Sequence, residues 1–514
     1  MNFIQRAIRY VRRKPTKSLL LAVTFFLIGN LVILGLGVSQ AADNAKILTR
    51  KKMRAIVSYE VDFMKYWGDA EKISDEDEYK EFVKNPPRIS GEIAKHFASD
   101  ERVKAYNYLL TNTAYGIGVD HVPLGNDNDE PEPFTDESGN KITPSVINFM
   151  IYATGVDNMI ELAEGTFNVV DGRWISQQDI DGAKPVCCIT EELADVNSLH
   201  VGDTITITTI NPQSRQPYYD KGHTDDDMNL ELEIIGIYTT TETVDPNAEN
   251  FRWMYPYESP KNRIMTTLTS TSEYWFDMQK FNAEQNPDWE FNEEQARVET
   301  SSPAKVTYLL DDPLHVDNFV SDNEGRCEKY TLLNANNETF RKMARPLDTM
   351  SFFAKIVVWI VIVNAIVIIS LVTALTLKTR EYEIGVLLSI GVSKIKVVLQ
   401  LFLELILLAF LGFALASVSG SIMAGSVGEM VLDYQTSSEA QYETAEDSFG
   451  WTNSSDYFTL VSQDDLLSEY HVSVSPVLIL EIFILGTGVV LIAIVIPSVM
   501  IMRLNPKQIL LEQN

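Results

Sequence analysis

The chain has 514 residues, 45% of them hydrophobic, and a formal net charge of −29. An acidic balance of that size argues against nucleic acid as a partner, and the 3 cysteines and 6 histidines fall in no metal-ligand spacing. The cysteines, Cys187, Cys188 and Cys327, are expected as free thiols, since an odd count with one adjacent pair makes a poor disulfide framework.

In chain order, residues 1–17 form a basic opening segment with Arg6, Arg9, Arg12, Arg13, Lys14 and Lys17 and no carboxylate. A first apolar block follows at 18–39. Three more lie at 351–377, 397–425 and 474–502. Each reaches the ~20 residues a helix needs to cross a ~30 Å hydrocarbon layer. A lipid-exposed backbone must satisfy its own hydrogen bonds, so these blocks are expected as helices. Ser39-Gln40-Ala41-Ala42 resembles a leader cleavage site, but the apolar run before it exceeds the usual ~7–15 residues, so an uncleaved anchor is expected.

Between the first two blocks, residues 40–350 form the large polar region. Ile47 or Leu48, Ile56, Tyr59, Phe63 and Trp67 recur at three- and four-residue steps, which predicts a helix over 40–67 continuing the first span as a stalk. Phe340, Met343, Leu347 and Met350 predict a second stalk, with Pro346 as a kink. Asp203–Ile210 and Leu230–Tyr238 read as strands, Glu191–Ala194 as a short helix, and Gly202 as a turn. The stretches 120–145, 211–229 and 243–262 read as surface loops. The fold class is therefore an α-helical membrane protein with four transmembrane helices and a large α+β extracytoplasmic domain on helical stalks.

Charge sets the expected orientation. The segments 1–17, 378–396 and 503–514 are basic, and no Lys or Arg occurs between Lys396 and Arg503. Positive flanks stay cytoplasmic, so both termini and 378–396 are expected inside, with 40–350 and the acidic loop 426–473 outside.

The segment 378–396 is the most specific part of the chain. Glu381 and Glu383 suit a helix amino terminus, and Ile384 with Leu387 or Leu388 would present an apolar face to a partner's groove. Arg380-Glu381-Tyr382-Glu383-Ile384-Gly385-Val386-Leu387, then Ile390-Gly391-Val392-Ser393, resembles the coupling segment of MacB/FtsX-like ABC transporter permeases. Ala7 to Ser18, Gly172-Arg173-Trp174-Ile175, Glu191 to Ala194, Val201 to Ile205 and Arg503-Leu504-Asn505-Pro506 resemble further parts of that family in the same order.

The resemblance implies a bacterial cell-membrane protein with both termini cytoplasmic. It implies a permease that dimerises, with an identical or different second chain, and sits on an ABC ATPase subunit. ATP-driven closure there would be passed outward through Arg380, Glu381, Glu383, Ile384, Gly385, Leu387, Leu388, Gly391 and Lys394 to handle peptide, antibiotic or lipid-linked cargo. A membrane-fusion-type adaptor and membrane lipids are further implied partners. No GxxxxGK[ST] phosphate loop occurs in the chain, so ATP and Mg are expected in the partner, with no cofactor and no metal in this chain. An FtsX-like signalling scaffold that regulates an extracellular partner is the alternative. No nucleophile or acid–base constellation points to an enzyme. Glu404, Glu481, Asn30 and Asn364 are polar inside the apolar blocks, where a charge costs ~2.5–3.5 kcal/mol, and are expected to bond between helices or at the interface, with a proton- or cargo-coupling role as the alternative for the two carboxylates.

Overall fold

The computed structural model describes residues 3–84, 86–129, 132–135, 141–248, 250–286, 291–335, 337–439, 470 and 475–503. The chain divides into two units, a helical one formed by its two ends and a mixed one formed by Arg54–Asn336.

In the helical unit, α1 (Phe3–Arg13) is followed by α2 (Pro15–Lys52), whose Pro15 occupies the first turn, where no amide hydrogen is needed. Then come α3 (Asn337–Lys378), α4 (Glu381–Ser389) and α5 (Lys394–Glu439). The last two are α6 (Pro476–Ala493), capped by the Ser475 hydroxyl, which accepts from the Leu478 amide, and α7 (Val495–Arg503). Among the described residues, four stretches are long and apolar enough to span a membrane: Pro15–Lys52, Ala344–Lys378, Lys394–Gly420 and Pro476–Val499. α3 runs through Pro346 without ending.

Small residues let these helices approach closely, the usual basis of helix association in lipid. Gly29 lies against Ala416, Gly412 against Phe25, and Gly486 against the Phe413 ring. Phe413 meets Phe25 edge-on at 5.7 Å and Phe483 at 6.0 Å, filling the middle of the bundle. Further along, Ala41, Ala42 and Ala45 of α2 pack on Ala344, Leu347 and Met350 of α3. There Ser39 and Ser351 share a hydrogen bond of 2.9 Å, and Lys46 Nζ donates to Asp348 at 2.6 Å.

Two expectations change here. The helix expected over 40–67 stops at Lys52, and Ile56–Val61 is a strand buried along its whole length. Ile56 and Tyr59 are core residues of that strand, and their three-residue spacing is incidental. The loop expected from 426 begins as helix, because α5 continues to Glu439; residues 440–469 and 471–474 lie outside the described residues.

Among the described residues the mixed unit has twelve strands. The first four are β1 (Ile56–Val61), β2 (Val103–Gly116), β3 (Phe134–Thr135) and β4 (Lys141–Ile142). The next four are β5 (Phe149–Thr154), β6 (Phe167–Gly172), β7 (Val186–Thr190) and β8 (Thr204–Thr208). The last are β9 (Leu230–Thr240), β10 (Arg263–Thr267), β11 (Lys305–Leu310) and β12 (Thr331–Asn334). β3 and β4 form a small separate hairpin. The long strand β2 is shared: Val103–Tyr108 pairs with β11, Leu109–Ala114 with β5, and Tyr115–Gly116 with β8. Because β8 also pairs with β9, the path β2-β5-β10-β7-β9-β8 closes on itself and leaves no free edge within that ring.

Ile151, Ile189, Ile205, Ile207, Leu232 and Ile234 form a core with Trp275 and Met278 of the helix Leu268–Gln285. A second core gathers Tyr59, Phe97, Tyr308 and Phe319 where β1, β11 and β12 extend from β2. The expected strands at 203–210 and 230–238, the short helix from Glu191 and the turn at Gly202 are all present. The expected loops at 211–229 contain two short helices, Gln216–Tyr219 and Asp225–Met228.

Beside the Gly172-Arg173-Trp174-Ile175 stretch, Asp179 is almost fully buried. Arg173 donates to it at 2.5 and 3.1 Å, Lys184 at 2.9 Å, and the Ser176 hydroxyl at 2.6 Å. These donors, the Arg173 guanidinium first, hold its carboxyl far below the usual carboxylate range. The Cys187 and Cys188 thiols are buried in the strands, and burial pushes Cys188 up to about 12.

Candidate functional site

The site is built on α4, the short helix between α3 and α5. Arg380 precedes its first turn, which carries Glu381 and Glu383 where the helix dipole favours negative charge. After Ser389 the chain turns at Gly391, whose φ of +92° suits glycine. The Gly391 amide donates to the Leu388 carbonyl and the Val392 amide to the Leu387 carbonyl, a Schellman ending. This turn lets α5 start at Lys394 and return into the bundle.

The two faces of α4 differ from expectation. Ile384 and Gly385 are buried, and Ile384, Leu388 and Val392 pack on the apolar core of the chain's own helices. Ile384 therefore anchors α4 instead of meeting a partner. Leu387 is half-buried. The outward apolar surface is made by Tyr382, 51% exposed, Ile390, 75%, and Ile395, 64%. The sequence reading missed these three, because an eight-residue window shows which residues are apolar but not which side the bundle covers.

Arg380 is the centre of the site. Its Nη1 donates to Glu404 Oε2 of α5 at 2.9 Å, and its Nε lies 3.4 Å from Glu383 Oε2. Its guanidinium sits 3.6 Å from the centroid of the Tyr10 ring of α1. The other Glu404 oxygen accepts from Gln400 Nε2 at 3.0 Å. A planar guanidinium serves all three contacts, as a point-charge ammonium does not. The pair also neutralises a carboxylate that would be costly alone in an apolar bundle.

Two lysines complete the fastening. Lys17 Nζ donates to Thr379 Oγ1 at 3.1 Å, and Lys394 Nζ donates to the Met502 carbonyl at 2.7 Å, a cation at the end of α7. Segment 379–394 is thus tied to α2, α5 and α7 by hydrogen bonds and to α1 by the ring contact. Tyr10, Thr379 and Gln400 were not singled out from the sequence, and Lys17 was read only as part of the basic opening segment. The i,i+4 spacing of Gln400 and Glu404 was the available signal.

The other intramembrane candidates separate. Gln40 Nε2 donates to Glu481 Oε2 at 3.1 Å, joining α2 to α6. Asn30 Oδ1 accepts from the Ser419 hydroxyl of α5 at 2.8 Å, the expected interhelical bond. Asn364 is a correction: its amide donates to the Ile360 carbonyl of its own helix, and the side chain faces outward. None of the three joins the Arg380 cluster. Among the described residues no group of His, Cys, Asp and Glu forms a metal site.

Residues 355–506 match the family model described as FtsX-like permease C-terminal, and residues 69–306 match that of the MacB-like periplasmic core domain. The chain belongs to the MacB/FtsX-like ABC transporter permeases. The first match contains all of α4 and α5, so the Arg380–Glu404 pair lies within the family's permease region. A relative in Bacillus subtilis (strain 168), described as the uncharacterized ABC transporter permease YclI, is 29% identical over the whole of both chains. The periplasmic region of MacB from Actinobacillus actinomycetemcomitans is 9% identical, covering 55% of this chain and 90% of that one, at a TM-score of 0.27. The extracellular domain of the noncanonic ABC-type transporter YknZ from Gram-positive bacteria is 8% identical, covering 54% and 99%, also at 0.27. Neither structural likeness carries weight at that score. The permease is a membrane-spanning chain with a large extracellular domain of MacB type.

Proposed function

We propose that this permease converts ATP hydrolysis by a separate ABC ATPase chain into movement of its extracellular domain. The observation that carries the reading is α4 itself. Tyr382 of α4, Ile390 in the turn after it and Ile395 at the start of α5 face outward, while Arg380, Lys394 and Ile384 fasten this segment to the membrane helices. A push on its outer face would reach α5 through Arg380–Glu404 and α7 through Lys394. α2 and α3, packed together beyond the apolar core, are the levers that carry the movement away.

In this reading the basic end of the bundle, with α1 and α4, is cytoplasmic, following the positive flanks. The protein lies in a bacterial cell membrane and works with a second permease chain and a membrane-fusion-type adaptor. Its cargo is a peptide, an antibiotic or a lipid-linked molecule, exported or handled outside. ATP and Mg bind the partner ATPase.

The test is purification of the full-length chain with a co-expressed ABC ATPase, followed by ATP turnover with and without candidate cargo. A complex whose turnover rises with cargo and falls sharply in Ile390→Glu supports the reading. Turnover in a stable complex that ignores Ile390→Glu would overturn it. Turnover insensitive to every cargo, but altered by an extracellular protein partner, would favour the signalling scaffold.

A further inference from the structure

Asn364 is a polar side chain on the outward face of α3. No Lys, Arg, Asp or Glu lies between Lys355 and Lys378. At about 1.5 Å per residue, Asn364 is ~13 Å from the first and ~21 Å from the second, inside a ~30 Å hydrocarbon layer. One hydrogen of its amide goes to the Ile360 carbonyl of its own helix at 3.0 Å. Its other N–H and its side-chain oxygen have no partner among the described residues, and the side chain is exposed. Hydrocarbon offers no hydrogen-bonding group at that depth, so a carboxamide left facing it is costly. A polar side chain in such a position bonds to another membrane helix.

The surface around it has the form of a helix seam. Phe353, Val357, Ile360, Asn364, Val367 and Leu371 follow one another in alternating steps of four and three residues, and all six are exposed. Two helices that cross at a shallow angle meet along this spacing. A surface that only faces lipid shows the same spacing, and the amide is what separates the two cases. A lone Asn at a seam position sets register and the number of strands at some cost in stability, and lipid gives it no such use. Among the described residues, α3 is also the least covered of the four spans.

The amide further indicates which helix it meets. Copies of one chain enter the membrane in the same orientation, so α3 of a second copy runs parallel and carries its own Asn364 at the same depth. Across a two-fold axis normal to the membrane, each Nδ2 donates to the other Oδ1, and both remaining groups are satisfied together. We infer that the outward face of α3 is the seam between two copies of this chain, closed by a pair of Asn364 side chains. The second permease chain of the proposed function is then an identical one. The inference rests on that reading for the presence of a second chain, and not on coupling to an ATPase.

The experiment is disulfide crosslinking of the full-length chain in native membranes, in a Cys327→Ser background, where the other two cysteines are buried. Asn364→Cys and Val367→Cys are expected to give a crosslinked dimer on mild oxidation, and Val367→Cys does so with the amide pair intact. Leu411→Cys, exposed on α5 ~22 Å along the helix from Lys396, is at a similar depth and gives no crosslink. In liposomes, energy transfer between labelled chains reads the dimer dissociation constant. Asn364→Leu raises it about three- to eightfold, the effect of one or two interhelical hydrogen bonds in lipid, and Asn364→Gln raises it less. A dimer that crosslinks from Leu411→Cys and not from Val367→Cys overturns the seam and leaves the second chain in place. Crosslinks from Val367→Cys to a different membrane protein alone overturn the identity of the partner. An unchanged dissociation constant in Asn364→Leu overturns the amide pair. A chain that associates with no permease at all overturns the inference together with the reading of a second chain.

Discussion

Arg380 and Glu404, 24 positions apart, meet at 2.9 Å and join the start of α4 to the body of α5. Both side chains are largely buried, at 13% and 5% exposed. Removing one partner of a buried pair leaves an uncompensated charge and costs about 3–5 kcal/mol. Glu404→Ala and Arg380→Ala are therefore expected to lower the thermal stability of the purified permease strongly. Glu404→Gln, which keeps a hydrogen-bond acceptor, should cost less. Melting curves in detergent check the order, and an Arg380→Ala variant as stable as wild type would contradict the pair's role.

Phe413 fills the bundle only because Gly486 has no side chain. A Cβ at position 486 would come within 2.0 Å of the Phe413 ring, whereas at Gly488, half a turn away, it would meet nothing within 4 Å. Overpacking of this kind costs roughly 1–3 kcal/mol. Gly486→Val should thus lower the melting temperature clearly, and Gly488→Val should leave it nearly unchanged. Equal effects at the two positions would contradict the packing described.

Asp179 should show its role through pH. Its folded carboxyl is held well below the unfolded value of ~3.9, chiefly by Arg173. Its contribution to stability is therefore present above the unfolded value and fades as pH falls toward the folded one. The difference in unfolding temperature between wild type and Asp179→Asn should be largest near neutral pH and shrink below about pH 4. A difference that grows in acid would contradict the assignment.

Orientation is tested by labelling in intact cells, in a Cys327→Ser background, where the other two cysteines are buried. Met64, 87% exposed in the mixed unit, should react as Met64→Cys with a membrane-impermeant thiol reagent. Arg12→Cys should react only after permeabilisation. The reverse pattern would invert the topology.

These residues also show what the sequence makes legible. The four spans announce themselves because a membrane helix needs ~20 consecutive apolar residues, a signal that tertiary packing does not alter. The strands at 204–208 and 230–240 carry alternation of their own. Ile56 and Tyr59 were less readable, since a fully buried strand shows no alternation and its apolar residues fit helical spacing as well. The segment containing α4 was recognisable from its motif, but its faces were not. Only the fold shows that Ile384 turns inward, Ile390 outward, and Asn364 away from the other helices. Tyr10 and Glu404 meet Arg380 from far along the chain, and such meetings leave no trace in local pattern.

The central claim is that the outward face of the segment 380–395, α4 with the turn after it and the start of α5, receives the ATPase. A photo-crosslinking residue placed at Tyr382, Ile390 or Ile395 of the full-length chain, purified with its co-expressed ATPase, tests it most directly. Crosslinks to the ATPase from those exposed positions, and none from Ile384, are the predicted result. Crosslinks from Ile384, or none from any of the three exposed positions in an intact complex, would contradict it.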